Sequence, residues 1–370
     1  MIYRKTITTW VTQWLSPFLH SSAIKTLASI VASLFVVRRP IISRVAREAP
    51  EKAKDFKQIL HRFWRFLNRS AFDVKDVWAA ITTRMLSPQP GETSAAPLEV
   101  LMDWTDLGPR FIGLILSVPI RGRSLPVWGG AVLKSQLKDN QTGIELEVID
   151  EFLDSLSPDL RARVVIVADR GFAKVELFER IRGRGAHFVI RLMGNHYVQI
   201  EGRWSPLRDL APAAGGSSLW ESVLYTRTQS YPVALAIHRC AEGQANDPED
   251  DVWNLATDLD ARLARSIYEK RFRCEETFRD LKDELHLDRH QIKSPHTLQK
   301  MLAAMALAYL WIVLDGFRLV NADRLKRVCG FRNGEPELSL FRQALAVLDR
   351  IAADRVALLF PQSQSDPSSA

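Results

Sequence analysis

The stretch IYEKRFRCEETFRDLKDELH, residues 267–286, places charges of both signs among regularly spaced apolar side chains. When residues are plotted at about 100° apart, these apolar side chains and one just before them fall within an arc of about 60°. They are Leu263, Ile267, Cys274, Phe278, Leu281 and Leu285. The spacing therefore predicts one amphipathic helix with a buried apolar stripe.

A second row of side chains falls within an arc of about 80° directly beside that stripe. It consists of Tyr268, Arg271, Glu275, Arg279 and Lys282. One carboxylate thus accompanies three cations and a phenol, whereas a solvated helix face usually pairs opposite charges four residues apart. Such an edge suits an anionic ligand together with a metal ion. An ordinary exposed helix face is the alternative.

The composition of the 370-residue chain is that of a soluble globular protein with two or three domains, 46% hydrophobic and 25% charged. Its three cysteines form no CxxC pair, which argues against a disulfide framework or a structural zinc site and favours a reducing compartment. The apolar runs 27–37 and 301–314 are shorter than the ~20 residues that span a bilayer. We expect both runs to be buried helices and no membrane partner.

The positive charge is concentrated at the N-terminal end of the chain. Residues 1–97 contain 15 Lys and Arg against 6 Asp and Glu, and the rest contains 35 against 37. A basic module joined to a near-neutral one is expected of a nucleic-acid-binding domain attached to an enzyme. In HRFWRFLNR, residues 61–69, aromatics alternate with arginines, which suits a nucleic-acid surface or a packed helix. A basic helical domain that binds no nucleic acid is the alternative.

The pattern of apolar residues changes at a Pro-, Gly- and Ser-rich linker, residues 87–97. Before it, spacings of three and four predict helices. After it, the pattern predicts strands at 98–105, 110–120, 124–133, 163–172 and 186–192, with helices at 145–156 and 173–182. This order predicts an α/β fold with a mixed sheet and flanking helices. The predicted domains are a basic helical DNA-binding domain at 1–90, a catalytic core at 98–192 and 259–292, a β-rich insertion at 193–258, a C-terminal helical region at 293–360 and a disordered tail at 361–370.

Three acids stand out by their positions in this scheme. Asp103 ends the first predicted strand, Asp169 ends the fourth, and Glu275 lies on the charged helix. Ligand sites in open α/β sheets form at the carboxyl ends of strands, where converging carboxylates repel unless a cation lies between them. Carboxylate oxygens suit Mg²⁺ or Mn²⁺. Taken singly, each acid has an ordinary structural interpretation, and their joint occurrence favours a metal site.

The motif Tyr268-x2-Arg271-x3-Glu275-x6-Lys282 resembles the Tyr-Arg-Glu-Lys signature of a family of bacterial insertion-sequence transposases with a DDE active site. DWT at 103–105 resembles the first acidic motif of this family, and ADRGF at 168–172 resembles the second. The resemblance covers roughly residues 98–290 and includes a β-rich insertion.

The resemblance implies a ribonuclease H-like core in which Asp103, Asp169 and Glu275 are catalytic and bind two Mg²⁺ or Mn²⁺ ions. It implies that Tyr268, Arg271 and Lys282 contact the DNA backbone, and that Arg279 occupies a position where relatives can carry another cation. In relatives that cut through a DNA hairpin, a Trp at a matching place stacks on a flipped base. Trp253 is the candidate here, with a structural role in a strand as its alternative.

The implied function is that of a DNA transposase in the bacterial cytoplasm, associated with the nucleoid. Residues 1–90 would bind terminal inverted repeats, and the core would cut and join DNA by two-metal phosphoryl transfer, cut-and-paste through a hairpin. The partners would be double-stranded DNA, as ends and as target, and a second copy in a DNA-bound homodimer. Two other hypotheses stay open: a catalytically silent DNA-binding protein derived from a transposase, and a ribonuclease H-like nuclease without strand transfer.

Overall fold

The computed structural model describes residues 2–51, 55–69, 72–87, 96–120, 122–241 and 251–319, and in the C-terminal part 323, 326, 328–332, 335–336 and 339–359. The chain forms two compact units, residues 1–306 and 307–370. The predicted domain boundaries stay predictions. Most of the linker at 87–97, most of the loop at 243–251 and the whole tail at 361–370 lie outside the described residues.

The described residues before the sheet are helical, as predicted for residues 1–86. The helices are α1 (Ile2–Leu15), α2 (Ser21–Val37), α3 (Ile42–Arg47), α4 (Phe56–Arg69) and α5 (Val74–Leu86). Helix α4 buries Ile59, Phe63 and Phe66 because their spacing of three and four places them on one face. The Asp73 side chain caps α5 by accepting a hydrogen bond from the Lys75 backbone N–H at 3.0 Å.

One ten-stranded sheet lies at the centre of residues 98–257. Its strands are β1 (Leu98–Asp106), β2 (Phe111–Ile120), β3 (Arg123–Leu133), β4 (Val164–Ala168), β5 (His187–Leu192), β6 (Tyr197–Ile200), β7 (Arg203–Pro206), β8 (Ser217–Tyr225), β9 (Tyr231–Arg239) and β10 (Val252–Thr257). Their order is β3-β2-β1-β4-β5-β10-β9-β8-β6-β7. Strand β4 pairs parallel with β1 and β5, and the other pairings are antiparallel. The α/β prediction is thus confirmed as a mixed, mostly antiparallel sheet with helices.

Residues 193–258, predicted to be a β-rich insertion, contain strands β6–β10, and these strands continue the main sheet. Strand β10 pairs antiparallel with β5, with Asn254 opposite Leu192, and β9 pairs with the other side of β10. Strand β8 begins at Ser217. Pairing with β10 gives hydrogen-bond partners to the N–H and C=O groups on the edge of β5 that faces away from β4. This explains why the strands after β5 continue the same sheet.

Three helices follow β3 and β4: α6 (Lys134–Asp154), α7 (Pro158–Arg161) and α8 (Val175–Gly183). Short 3-10 turns lie at Arg170–Phe172 and Leu207–Leu210. Helix α6 begins eleven residues before the predicted helix at 145–156 and is kinked at Asn140, which has φ −147°. The polar, Gly-containing sequence before Glu145 concealed this first part of α6.

The prediction of one continuous amphipathic helix over 267–286 is wrong. The structure has two helices, α9 (Ala261–Tyr268) and α10 (Arg273–Asp283), separated by a turn. Because the turn shifts the helical phase, Leu263 is 45% exposed, although the other five members of the predicted apolar stripe are buried. Tyr268 and Arg271, predicted for the half-sheltered edge, are buried too.

The remaining elements are α11 (Pro295–Leu319), β11 (Phe331–Arg332), β12 (Glu335–Pro336) and α12 (Leu340–Leu359). Helix α11 has 25 residues and is longer than the 14-residue apolar run from which it was predicted. Among the described residues, one segment, Pro295–Leu314, is long and apolar enough to cross a membrane by length and composition, and 89% of its most apolar window is buried. A core helix of a soluble protein passes the same test, and this burial agrees with the predicted buried helix.

Candidate active site

Asp103 and Asp169 are placed next to one another by parallel strands β1 and β4. Met102 of β1 is opposite Ala168, the last residue of β4, so each aspartate comes directly after this pair. Both aspartates were predicted to end their strands. Asp169 instead follows β4, which ends at Ala168, and Asp103 lies within β1, which continues to Asp106. The Trp104 backbone N–H donates to Asp103 Oδ1 at 2.8 Å and orients this carboxylate.

Helix α10 brings Glu275 to the two aspartates because its buried face is fixed to β3. The Ser124 backbone N–H donates to Thr277 Oγ1 at 2.8 Å, and Arg123 Nε donates to Asp280 Oδ2 at 2.6 Å. Thr277 and Asp280 are both buried. Glu275, in the first turn of α10, is thereby directed away from β3 and is about half exposed.

The guanidinium of Arg271 contacts all three acids. Its Nη1 lies 3.3 Å from Asp103 Oδ2, and its Nη2 lies 2.5 Å from Glu275 Oε1 and 4.0 Å from Asp169 Oδ2. The Arg271 side chain is only 7% exposed. Because a buried cation requires compensation, this arrangement neutralises Arg271 and relieves repulsion among the carboxylates.

Tyr268, the last residue of α9, binds one of these acids, Asp169. Its hydroxyl donates to Asp169 Oδ1 at 3.0 Å, and its ring is fully buried. Burial raises the pKa of the Tyr268 hydroxyl above its usual value, with the negative charge of Asp169 acting in the same direction and Arg271 opposing it. The hydroxyl therefore stays protonated and acts as a donor.

The pKa values of the two aspartates shift in opposite directions. Burial raises the pKa of Asp103, helped by the charge of Asp169 and opposed by Arg271 and the Trp104 N–H. Burial acts on Asp169 in the same sense, but Arg271, the Arg170 N–H and the Tyr268 hydroxyl outweigh it and hold the pKa of Asp169 below its ordinary value. Asp169 is thus the more strongly ionised of the pair.

These groups face an open cavity of about 490 Å³. Its lining consists of Asp103, Trp104, Thr105, Asp106, Asp169, Arg271, Glu275, Phe278, Arg279, Lys282 and Asp283. Arg279 is exposed and forms an ion pair with Glu276 at 2.7 Å. The cavity is therefore lined both by carboxylates and by cationic side chains of α10, Arg279 and Lys282.

The remaining predicted residue, Trp253 of β10, does not line this cavity, but it packs against Tyr268, whose hydroxyl donates to Asp169. Its ring centroid is 5.3 Å from that of Tyr268 and 5.8 Å from that of Phe272. All eight predicted site residues are thus brought into one region. Two neighbouring acids face other partners: Asp106 forms an ion pair with Lys134 at 2.7 Å, and Glu276 also pairs with Arg123 at 3.3 Å.

Sequence reasoning missed two residues at the site. Arg191 is buried in β5 and its Nη1 lies 4.0 Å from Asp169 Oδ1. The single arginine after the apolar run FVI in the strand HFVIRL was a usable indication, because a buried charge requires a partner. Phe272 is 38% exposed in the turn between α9 and α10, with the Arg271 guanidinium 5.1 Å from its ring centroid. The assumption of a continuous helix concealed this exposed position.

The donor chemistry of the site fits a divalent metal ion. Carboxylate oxygens are the ligands that Mg²⁺ and Mn²⁺ prefer. Among the residues that the structure describes, no group of three or more His, Cys, Asp or Glu is arranged to hold a metal. The cation that the three acids share in this structure is the Arg271 guanidinium.

The mixed sheet, with two aspartates on adjacent parallel strands and a glutamate from a packed helix, is consistent with the fold of a DDE transposase. Residues 132–311 match the model of the family described as "Transposase DDE domain". The match contains Asp169, Glu275 and the Tyr-Arg-Glu-Lys motif, and begins after Asp103. It supports a transposase of the DDE class, whose domains generally use divalent metal ions. No curated protein matches the chain.

Proposed function

We propose that the protein is an insertion-sequence DNA transposase of the Tyr-Arg-Glu-Lys branch, which cuts and joins DNA with Asp103, Asp169 and Glu275. The observation that carries this proposal is the convergence of these three carboxylates on one guanidinium at the edge of an open cavity. The match of residues 132–311 to a transposase domain supports the same conclusion.

The order of the first five strands supports a ribonuclease H-like core. Strands β3, β2 and β1 form an antiparallel meander, and β4 and β5 extend it by parallel pairing. This arrangement puts the carboxyl ends of β1 and β4 side by side, where α10 can reach them. Strands β6–β10 then constitute the insertion between Asp169 and Glu275.

The chemistry proposed for this site is phosphoryl transfer. Two Mg²⁺ or Mn²⁺ ions held by the three carboxylates would activate the attacking oxygen and stabilise the leaving one. The residues of the chain would position the DNA. Lys282 and Arg279 line the cavity and would bind phosphate oxygens, and Arg271 would exchange its carboxylate contacts for a phosphate. Tyr268, whose ring is fully buried, would hold Asp169 through its hydroxyl.

The aromatic side chains beside the cavity support the proposed hairpin route. Trp253 is partly exposed and packs against Tyr268 and Phe272, so a base leaving the duplex would find an aromatic surface there. Stacking on one aromatic ring is worth about 1–3 kcal/mol, and extruding a nucleotide costs a few. Trp253 would therefore offset much of that cost.

The N-terminal helices are proposed to bind the terminal inverted repeats. Helix α4 exposes Lys57, Trp64, Arg65 and Arg69 opposite its buried face. A row of cations with an aromatic side chain suits a DNA backbone. We further propose that two copies hold the two ends and that the protein works in the cytoplasm, at the nucleoid.

The test is to incubate the protein with Mg²⁺ and a duplex copying the DNA that flanks its gene, beside Glu275→Gln. Metal-dependent nicks and hairpins at the repeat boundary, absent from the variant while binding persists, would support the proposal. Tight binding without cleavage in Mg²⁺ or Mn²⁺ would favour the silent DNA-binding protein instead. Cleavage without strand-transfer products would favour the nuclease.

A further inference from the structure

A buried carboxylate lies behind the site and outside the acidic triad. Glu145 of α6 is fully buried, and three donors surround it. Lys174 Nζ donates to Glu145 Oε2 at 2.6 Å, and Trp104 Nε1–H and Gln141 Nε2–H donate to Oε1 at 3.1 and 2.7 Å. Because isolating a carboxylate from water is costly without such partners, a fully buried Glu145 points to a specific role.

The partners of Glu145 belong to the two segments that carry the aspartates. Trp104 follows Asp103 on β1, lines the cavity, and donates its backbone N–H to Asp103 Oδ1 at 2.8 Å. Lys174 lies just beyond the 3-10 turn that begins after Asp169, and its backbone N–H donates to Phe172 O at 2.8 Å. The Glu145 carboxylate on α6 therefore links the segment immediately after Asp103 to the segment shortly after Asp169.

We propose that Glu145 is a positioning residue that sets the spacing and orientation of Asp103 and Asp169. In this way it determines how tightly the two aspartates bind a divalent ion. This inference rests on the proposed function. The parallel pairing of β1 with β4 ends at Met102 and Ala168, so beyond this pair the two strands are no longer joined directly to each other, although β1 stays paired with β2 as far as Asp106. Glu145 supplies the link in that region, with Lys174 on one oxygen and Trp104 on the other.

A second-sphere group of this kind changes metal affinity or activity by about 10- to 100-fold when it is replaced. Removing Glu145 alone would leave Lys174 without its partner and lower stability for that reason only. The informative variant is therefore Glu145→Gln combined with Lys174→Met, which removes both charges and retains an amide acceptor for Trp104. The matched control is Glu147→Gln, which alters an exposed carboxylate on the same helix.

Each protein is first bound to a duplex that has an uncleavable scissile linkage, and Mn²⁺ is titrated into this complex by calorimetry. Thermal unfolding of each protein and single-turnover nicking of a normal duplex are measured separately. We expect the double variant to unfold within a few degrees of wild type, to bind Mn²⁺ at least tenfold more weakly and to nick at least tenfold more slowly. The control should match wild type in all three measurements.

Two outcomes would overturn the inference and differ in what they mean for the proposed function. If wild type takes up Mn²⁺ and nicks, and the double variant does the same with equal affinity and rate, Glu145 has only a structural role. If wild type neither takes up Mn²⁺ nor nicks, the proposed function fails and the positioning role fails with it.

Discussion

Arg271 donates a hydrogen bond to Glu275 at 2.5 Å, so the residue proposed to bind DNA is held by a residue proposed to bind metal. The same guanidinium contacts Asp103 and Asp169. The guanidinium contacts one oxygen of each carboxylate, so a metal ion held by the same three acids would compete with Arg271 for them. Phosphate binding would draw Arg271 outward and leave the acids free, which couples DNA binding to metal binding.

Arg271→Gln should destabilise the metal-free protein and increase its response to metal. Removing the buried cation deprives all three carboxylates of the guanidinium they share and leaves Asp169 with Arg191 as its cationic neighbour, at a cost of about 3 kcal/mol. A divalent ion at 100 times its dissociation constant would restore about 2.7 kcal/mol. Thermal unfolding in EDTA and in Mn²⁺, without DNA, measures both effects. Arg279→Gln is the control, and an equal Mn²⁺ response of Arg271→Gln and wild type would contradict the coupling.

Asp280→Ala should strongly weaken the attachment of α10 to β3. Its ion pair with Arg123 at 2.6 Å is buried, and breaking such a pair costs about 3–5 kcal/mol. Replacing both partners, as Arg123→Met with Asp280→Leu, should recover most of this loss because neither position then carries a buried charge. Urea denaturation measures the free energies of unfolding. Glu269→Ala breaks the exposed pair with Arg265 and should cost less than about 0.5 kcal/mol; a similar loss for both alanine variants would refute the argument.

Trp253→Ala should reduce hairpin formation while leaving the first nick intact. Losing about 1–3 kcal/mol of base stacking corresponds to roughly a 5- to 150-fold slower second step. Denaturing gels of a duplex cut at the repeat boundary separate nicks from hairpins. Trp220→Ala, on strand β8 of the same sheet, is the control. If both steps slow equally, Trp253 has a structural role in its strand.

Arg65→Gln should weaken binding to the terminal repeats without changing the chemistry at a bound end. The side chain is exposed on α4, and loss of one phosphate contact lowers the slope of log affinity against log salt by about 0.9. Binding titrations at several salt concentrations give this slope. Arg262→Gln on α9 is the comparison, since its side chain is 75% exposed in another part of the protein. An unchanged slope in Arg65→Gln would place the repeat-binding surface elsewhere.

His290 should make the protein less stable as the pH falls. Burial lowers the pKa of its imidazole below 6.5. The neutral ring donates Nε2–H to Leu107 O at 2.8 Å and accepts a hydrogen bond from the Ile292 N–H at Nδ1. Because the folded pKa is below the unfolded one, the stabilisation is complete above about pH 6.5 and decreases as the pH falls toward the folded pKa. Thermal unfolding at pH 7.5 and 5.5 should show a smaller pH dependence for His290→Gln. Equal pH dependences would exclude this residue as a source.

The elements that sequence reasoning located best were those with a strong local pattern. Strands β1 to β5 and the exposed face of α4 follow from runs of apolar residues and from spacings of three and four. The turn that separates α9 from α10 was missed because KRF, residues 270–272, fits a helical pattern as well as it fits a turn. Only the packing of each helix against its own part of the sheet breaks that pattern.

The sequence by itself determined the composition of the site: three acids in separate motifs, the fixed spacing from Tyr268 to Lys282, and a basic N-terminal segment. Tertiary structure alone decided that Arg271 lies among the acids, that Arg191 and Tyr268 support Asp169, and that β10 joins β5 in one sheet. The physical reason is that spacing along a chain determines only which side chains share a face. Strand pairing and burial, which depend on residues far apart in sequence, decide which faces meet and which charges must neutralise one another.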